Sequence, residues 1–296
     1  MLAVLFPLVL RNHWSAGAAA AYVTARLAWI TFAASAVVCV SAPFFGTIAD
    51  ASGYRKRFLL VLAVIGAVMT AALGFVEAGN WPLALGVYLL ASIGYYVSVV
   101  FYDSLLIDAT EPRYYSFVST LGFSLGYLGG AALLTLHLWM IKNPSAFGLA
   151  DTVAAFNMAF VSVGAWWLLF MLPLLYFVEE RQSSIKVTSG RIRAAYAELR
   201  STLKEITKYR NVAIFLCGYW LYVGGVFTII VMAVDYGKRL GFDDQDLVLA
   251  LLITNFAGFP ATLLYGMAAQ RFGPKSGIYF GLLVYIGACL WGLVMT

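Results

Sequence analysis

Apolar residues run through this chain in blocks of about twenty, the length a helix needs to cross about 30 Å of hydrocarbon. The blocks predict membrane helices over 27–49, 58–76, 82–103, 116–141, 151–178, 211–234, 246–269 and 276–296, after an apolar stub at 1–10. The stub is too short to span, and it has neither a basic leading region nor a small-residue cleavage site, so it does not read as a signal peptide. No strand-like alternation supports a barrel. The polar breaks are short except for 179–210, which is mostly basic. That segment divides the chain into a six-helix group, 1–178, and a three-helix group, 211–296. Both ends of the chain are apolar and read as cut within a helix.

Composition narrows the class further. Of 296 residues, 62% are hydrophobic and 11% charged, against about 45–50% and about 25% in soluble domains. The mean hydropathy is +0.87. A soluble enzyme, a disordered chain and a secreted disulfide scaffold are excluded; an all-α polytopic membrane protein remains. The net charge of +5 would suggest nucleic acid in a soluble protein, but here it reflects loop charge, and no nucleic-acid partner is expected. Fourteen of the 19 Lys and Arg fall on the side of the 179–210 segment and five on the other. The positive-inside rule therefore predicts a cytoplasmic central loop. Cys39, Cys217 and Cys289 lie inside apolar runs without metal-ligand spacing, so no metal site is expected.

Within the central loop, Ile192, Tyr196, Leu199, Leu203 and Ile206 recur at helical spacing, with Arg193, Arg200, Lys204 and Lys208 off that stripe. The spacing predicts an amphipathic linker helix along the inner membrane surface.

An internal repeat gives the strongest functional signal. Gly46-Thr-Ile-Ala-Asp50-Ala-Ser-Gly53-Tyr-Arg55-Lys56 has a counterpart in Gly266-Met-Ala-Ala-Gln270-Arg-Phe-Gly273-Pro-Lys275. Glycine recurs at offsets 0 and 7, alanine at 3 and a basic residue at 9; each copy ends a helix that carries a proline, Pro43 or Pro260. The spacing between copies implies parallel six-helix repeats.

The first copy resembles the signature loop of the major facilitator superfamily, and the second departs from it at Gln270. Three further segments carry a narrower likeness: Ser41-Ala-Pro43-Phe-Phe-Gly46, Phe101-Tyr-Asp103-Ser-Leu-Leu-Ile-Asp108 and Gly122-Phe-Ser-Leu-Gly126-Tyr-Leu-Gly129-Gly130. They are similar to the facilitators that include fungal autophagy-related vacuolar amino-acid effluxers and their bacterial relatives. The resemblance implies a six-plus-six helix transporter working by alternating access, of which this chain would lack part of helix 1 and helices 10 to 12. It implies a gating role for Gly46, Asp50, Gly53, Arg55 and Lys56, with a weaker charge latch at Gly266, Gln270, Gly273 and Lys275. The implied setting is a bacterial inner membrane, with a small polar solute, such as an amino acid, a sugar or a drug, as the substrate.

Polar residues inside the spans complete the candidates. Tyr88, Ser92, Tyr95, Val99 and Tyr102 form one stripe on the 82–103 helix, at spacings that share a helix face. By resemblance to facilitators this face, with Tyr219, Tyr222 and Asn255, walls the substrate cavity; packing is the competing reading. Asp103 is a candidate for proton coupling, set against a helix-end aspartate in water. His137 reads as a polar helix-end residue. Gly122, Gly126, Gly129 and Gly130 predict a small face for close helix packing.

No nucleophile–base set, metal cluster or phosphate loop appears in the sequence. An enzyme is not expected, nor a cofactor or an obligate protein partner. The competing function is a truncated, non-transporting membrane scaffold or sensor. As a fragment of a transporter, the chain alone is expected to be unstable and to catalyse no transport.

Overall fold

The computed structural model describes residues 2–180 and 208–294 and, between them, residues 193, 194, 196, 197, 200, 201, 204 and 205. Helix α1 (Leu2–Val9) runs into a π turn over Leu10–Trp14. Helices α2 (Ala20–Ser52), α3 (Arg55–Ala72) and α4 (Trp81–Ser104) follow, then the short α5 (Leu106–Ala109). The remaining helices are α6 (Tyr115–Lys142), α7 (Thr152–Phe177), α8 (Arg210–Arg239), α9 (Asp244–Phe272) and α10 (Pro274–Val294). Among the described residues there is no strand. Eight helices are long and apolar enough to cross a membrane, so the chain is an all-α polytopic membrane protein. Each predicted block of full length became one of them.

The boundaries have local causes. Asn80 accepts the N–H of Leu83 at the start of α4, and Asp151 accepts that of Ala154 at 2.7 Å at the start of α7. Both are side-chain caps on amides that the helix leaves free. Helix α2 ends at Gly53, whose φ of +66° lets its N–H return to the Ala49 carbonyl at 2.8 Å. The largest departure from expectation is the length of α2. It begins at Ala20 rather than 27 and has 33 residues, about 50 Å of helix at 1.5 Å per residue. Arg26, which falls outside the predicted block, is held inside the helix: its guanidinium lies 3.7 Å from the Trp81 ring centre and donates to Ser15 Oγ.

The described residues form two compact units. One comprises Leu5–Ala109 and Met140–Leu221; the other comprises Met1–Val4, Thr110–Trp139 and Tyr222–Thr296. This grouping cuts across the six-plus-three order expected from the chain.

In the first unit, α3 is the central helix, packed on α4 and α7, and α2 packs on α4. Glycines make this possible. A Cβ at Gly94 would lie 2.7 Å from the backbone nitrogen of Gly66 and 2.9 Å from the Leu62 carbonyl oxygen. One at Gly164 would lie 2.5 Å from the Ala67 carbonyl oxygen. At one end of the unit Trp14 is fully buried, stacked near Phe160, with its indole N–H donating to the Val76 carbonyl. Toward the other end Ala49, Leu59, Val97, Phe101 and Leu105 make an apolar cluster directly under the α2–α3 turn.

In the second unit, α6 seats against α9. Ser124 Oγ donates to the Phe259 carbonyl at 2.9 Å, and the Tyr127 ring and Thr120 side chain occupy the space beside Gly258 and Gly266. Gly258 and Gly266 of α9 admit this approach. On α6, a Cβ on Gly130 would lie 3.4 Å from the Asn255 amide oxygen, and one on Gly126 would meet nothing; Gly126 is exposed and Gly122 and Gly129 are half-buried. A glycine-rich run in lipid carries no information about which neighbour uses it, whereas a contact does. His137 also departs from its expected helix-end setting, being 1% exposed.

Candidate functional site

The α2–α3 turn is where the sequence motif and the structure converge. Helix α3 opens with Arg55, Lys56 and Arg57 and has no acidic residue in its first turn. Three cations at a helix N-terminus sit at the wrong end of the dipole. The fold corrects this from outside the helix. Glu180, just past the end of α7, accepts the backbone N–H of Arg55 at 2.6 Å and that of Lys56 at 3.2 Å through its two carboxylate oxygens. Two orphan amides and the positive helix end are satisfied by one borrowed carboxylate.

Lys56 completes the exchange. Its ammonium donates to the carbonyls of Leu175 and Val178, at 2.7 and 2.6 Å, in the last turn of α7. A cation belongs at that negative end. Each helix therefore caps the other with a charge that would be misplaced on its own axis.

Arg55 makes the third link. Its guanidinium lies 3.7 Å from the carboxylate of Asp108, whose side chain is 7% exposed. Asp108 sits on α5, the single turn after α4 ends at Leu105. The turn after α2 is thus tied to α4–α5 through Arg55 and to α7 through Lys56 and Glu180. Ionic contacts at a helix end, unlike the apolar cluster beneath them, can break and reform without opening a core.

Of the gating residues read from the sequence, Gly53, Arg55 and Lys56 are brought together here. Gly46 lies one helix turn and more away, with open space beside it. The backbone of Asp50 is helical, and its side chain lies outside the described residues. In the second copy Gly266 is buried against Thr120 and Gly273 has a φ of +82°, while Gln270 and Lys275 are exposed.

The stripe on α4 divides. Tyr88 stacks on Phe6 with ring centres 3.9 Å apart. The Thr31 hydroxyl donates to the Leu27 carbonyl. Tyr95 instead lays its ring against Tyr96 and Trp167 of α7, at 5.2 and 5.8 Å. Tyr219 is exposed and Tyr222 half-buried. Asn255 Nδ2 donates to Leu251 of its own helix. Asp103 is exposed at the end of α4. At the α2–α3 turn the paired carboxylates are Asp108 and Glu180, neither of which the sequence reading assigned a role. The signal that could have found them is the unbalanced cation cluster at the start of α3, which demands acidic partners.

Residues 18–111 and 107–296 match the family described as vacuole effluxer Atg22 like. The chain belongs to that family. It is 32% identical over 292 residues to the uncharacterized MFS-type transporter YxiO of Bacillus subtilis, covering 98% of this chain and 68% of that one. It is 26% identical to an uncharacterized protein of Aquifex aeolicus and 21% identical to autophagy-related protein 22 of Eremothecium gossypii. Those matches cover 60% and 68% of this chain, and the chain spans 43% of the length of each relative. No solved structure gives a significant match. The family is described as an effluxer family and the Bacillus subtilis relative is named as a transporter; neither is the name of an enzyme. The chain is a multi-pass protein of a transporter family, in a lipid bilayer.

Proposed function

We propose that the protein is a secondary active transporter that moves a small polar solute by alternating access, with the α2–α3 turn as its gate. The observation that carries this reading is the three-part tie of the turn: the Arg55–Asp108 ion pair, the Glu180 carboxylate on the Arg55 and Lys56 amides, and the Lys56 ammonium on the α7 carbonyls, built on the motif that repeats at Gly266–Lys275. Asp50, by its place in the motif, belongs to the same gate. Residues 1–178 form the first repeat, 179–210 the linker and 211–296 the first three helices of the second repeat. The linker faces the cytoplasm of a bacterial cell, on the side where Lys and Arg collect.

The hydroxyl-bearing stripe of Tyr88, Ser92 and Tyr95 supports the α4 face as a solute wall. Hydroxyls and aromatic faces hold neutral or zwitterionic solutes, which makes amino acids the first class to try. Asp103 stands as a water-facing candidate for proton coupling.

The deciding experiment uses inverted membrane vesicles from cells expressing the gene's complete product and follows exchange of a labelled amino-acid panel. Asp108→Asn and Arg55→Gln should each lower flux by about tenfold or more while leaving the amount of protein in the membrane unchanged. The exchanged pair Arg55→Asp with Asp108→Arg should recover part of it. Full flux in both single variants would end the gating reading.

A further inference from the structure

The linker contacts the bundle at a specific depth. The Tyr196 ring packs on Phe44 of α2, with ring centres 5.2 Å apart, and its hydroxyl donates to the Phe44 carbonyl. Phe44 lies nine residues before Gly53, so Tyr196 sits about 13 Å up α2 from the turn. The gate thus projects beyond the level at which the linker touches the bundle. Phe44 lies three residues before the end of the apolar span Ala20–Thr47, and tyrosine is the residue type that favours such a boundary.

The charges around Tyr196 are sorted. Arg193, Arg200 and Lys204 are each helical and exposed and fall at i, i+7 and i+11, spacings that set them in a row on one helix face beside the tyrosine. Glu205, also helical and exposed, is nine positions after Tyr196, a spacing that puts the two on opposite faces of a helix. The cations border the face that meets the bundle and the acid is turned away from it. A linker shaped by solubility alone has no reason to separate them.

We infer that this row is a binding surface for anionic phospholipid headgroups of the leaflet in which Tyr196 is seated. The tyrosine fixes the depth, and Arg193, Arg200 and Lys204 meet phosphates at that depth, each adding an increment of attraction that salt screens. The inference does not depend on transport or on which side of the membrane the linker faces.

The test titrates the purified chain in detergent with short-chain phosphatidylglycerol and, separately, with short-chain phosphatidylcholine, and counts bound lipid by native mass spectrometry. Phosphatidylglycerol should bind at least about tenfold more tightly, and the preference should fall between 50 and 500 mM salt, as expected for charges within a Debye length of the headgroups. Neutralising the row with Arg193→Gln, Arg200→Gln and Lys204→Gln should remove most of the preference. Arg193→Lys with Arg200→Lys should keep it, which separates lost charge from lost folding. Arg271→Gln with Lys275→Gln, on the other basic loop, should leave it intact. Equal binding of the two lipids, an unchanged preference in the neutralised row, or an equal loss from the Arg271 and Lys275 pair would each overturn the inference.

Discussion

The carboxylate of Glu180 bridges the backbone amides of Arg55 and Lys56, 125 residues earlier in the chain. Helix α3 therefore begins under a negative charge that its own sequence does not supply. Because Lys56 returns the favour at the end of α7, the junction is a clamp between two helices.

Glu180→Ala should destabilise the protein by about 1–2 kcal/mol, the value of a charged helix cap. Glu180→Gln keeps one acceptor oxygen but sets an NH2 donor against the other backbone N–H and removes the charge, so its cost should be similar to that of Glu180→Ala. Thermal unfolding in detergent, followed by tryptophan fluorescence, measures both. A neutral outcome for Glu180→Ala would mean that water replaces the cap.

Gly94→Ala should cost about 1–3 kcal/mol, because the added methyl meets the backbone of Gly66 and Leu62 and the helices must separate. Gly126→Ala, where a Cβ meets nothing, should be neutral or slightly stabilising, since alanine is the better helix former. Comparing the two midpoints in one detergent checks which glycines pack.

Ser124→Ala should cost about 0.6–1.7 kcal/mol, the range for polar contacts between membrane helices. It deletes the donor to the Phe259 carbonyl, one residue before Pro260 in α9. Ser124→Thr keeps the hydroxyl but adds a methyl at a fully buried position, so it should not restore stability. A double-mutant cycle with a Gly258 substitution measures the α6–α9 coupling.

Tyr88→Phe keeps the ring that stacks on Phe6 and removes only the hydroxyl, so on the proposed function it should lower solute affinity more than it lowers stability. Tyr95→Phe should change stability by less than about 0.5 kcal/mol, because the contact with Trp167 is made by the ring. Equal effects of the two would show that the stripe acts as one surface.

The helices and the membrane were legible along the chain because length and apolarity are one-dimensional properties, and a twenty-residue apolar block in lipid has only the helix open to it. The repeated Gly-x-x-Ala spacing was legible for the same reason: a turn at Gly53 is made by its own neighbours. What tertiary structure decided is which charges meet. Asp103 and Asp108 look alike in sequence, but the break at Leu105 leaves Asp103 facing outward and sets Asp108 against Arg55. Glu180 reads as the first residue of a polar linker until the end of α7 places it over α3. The four glycines of α6 read as a packing face, and the structure adds Gly258 and Gly266 of α9 as points of close approach to α6. Helix formation is settled by each residue's own surroundings. Pairing between helices depends on crossing points fixed by residues dozens to more than a hundred positions apart.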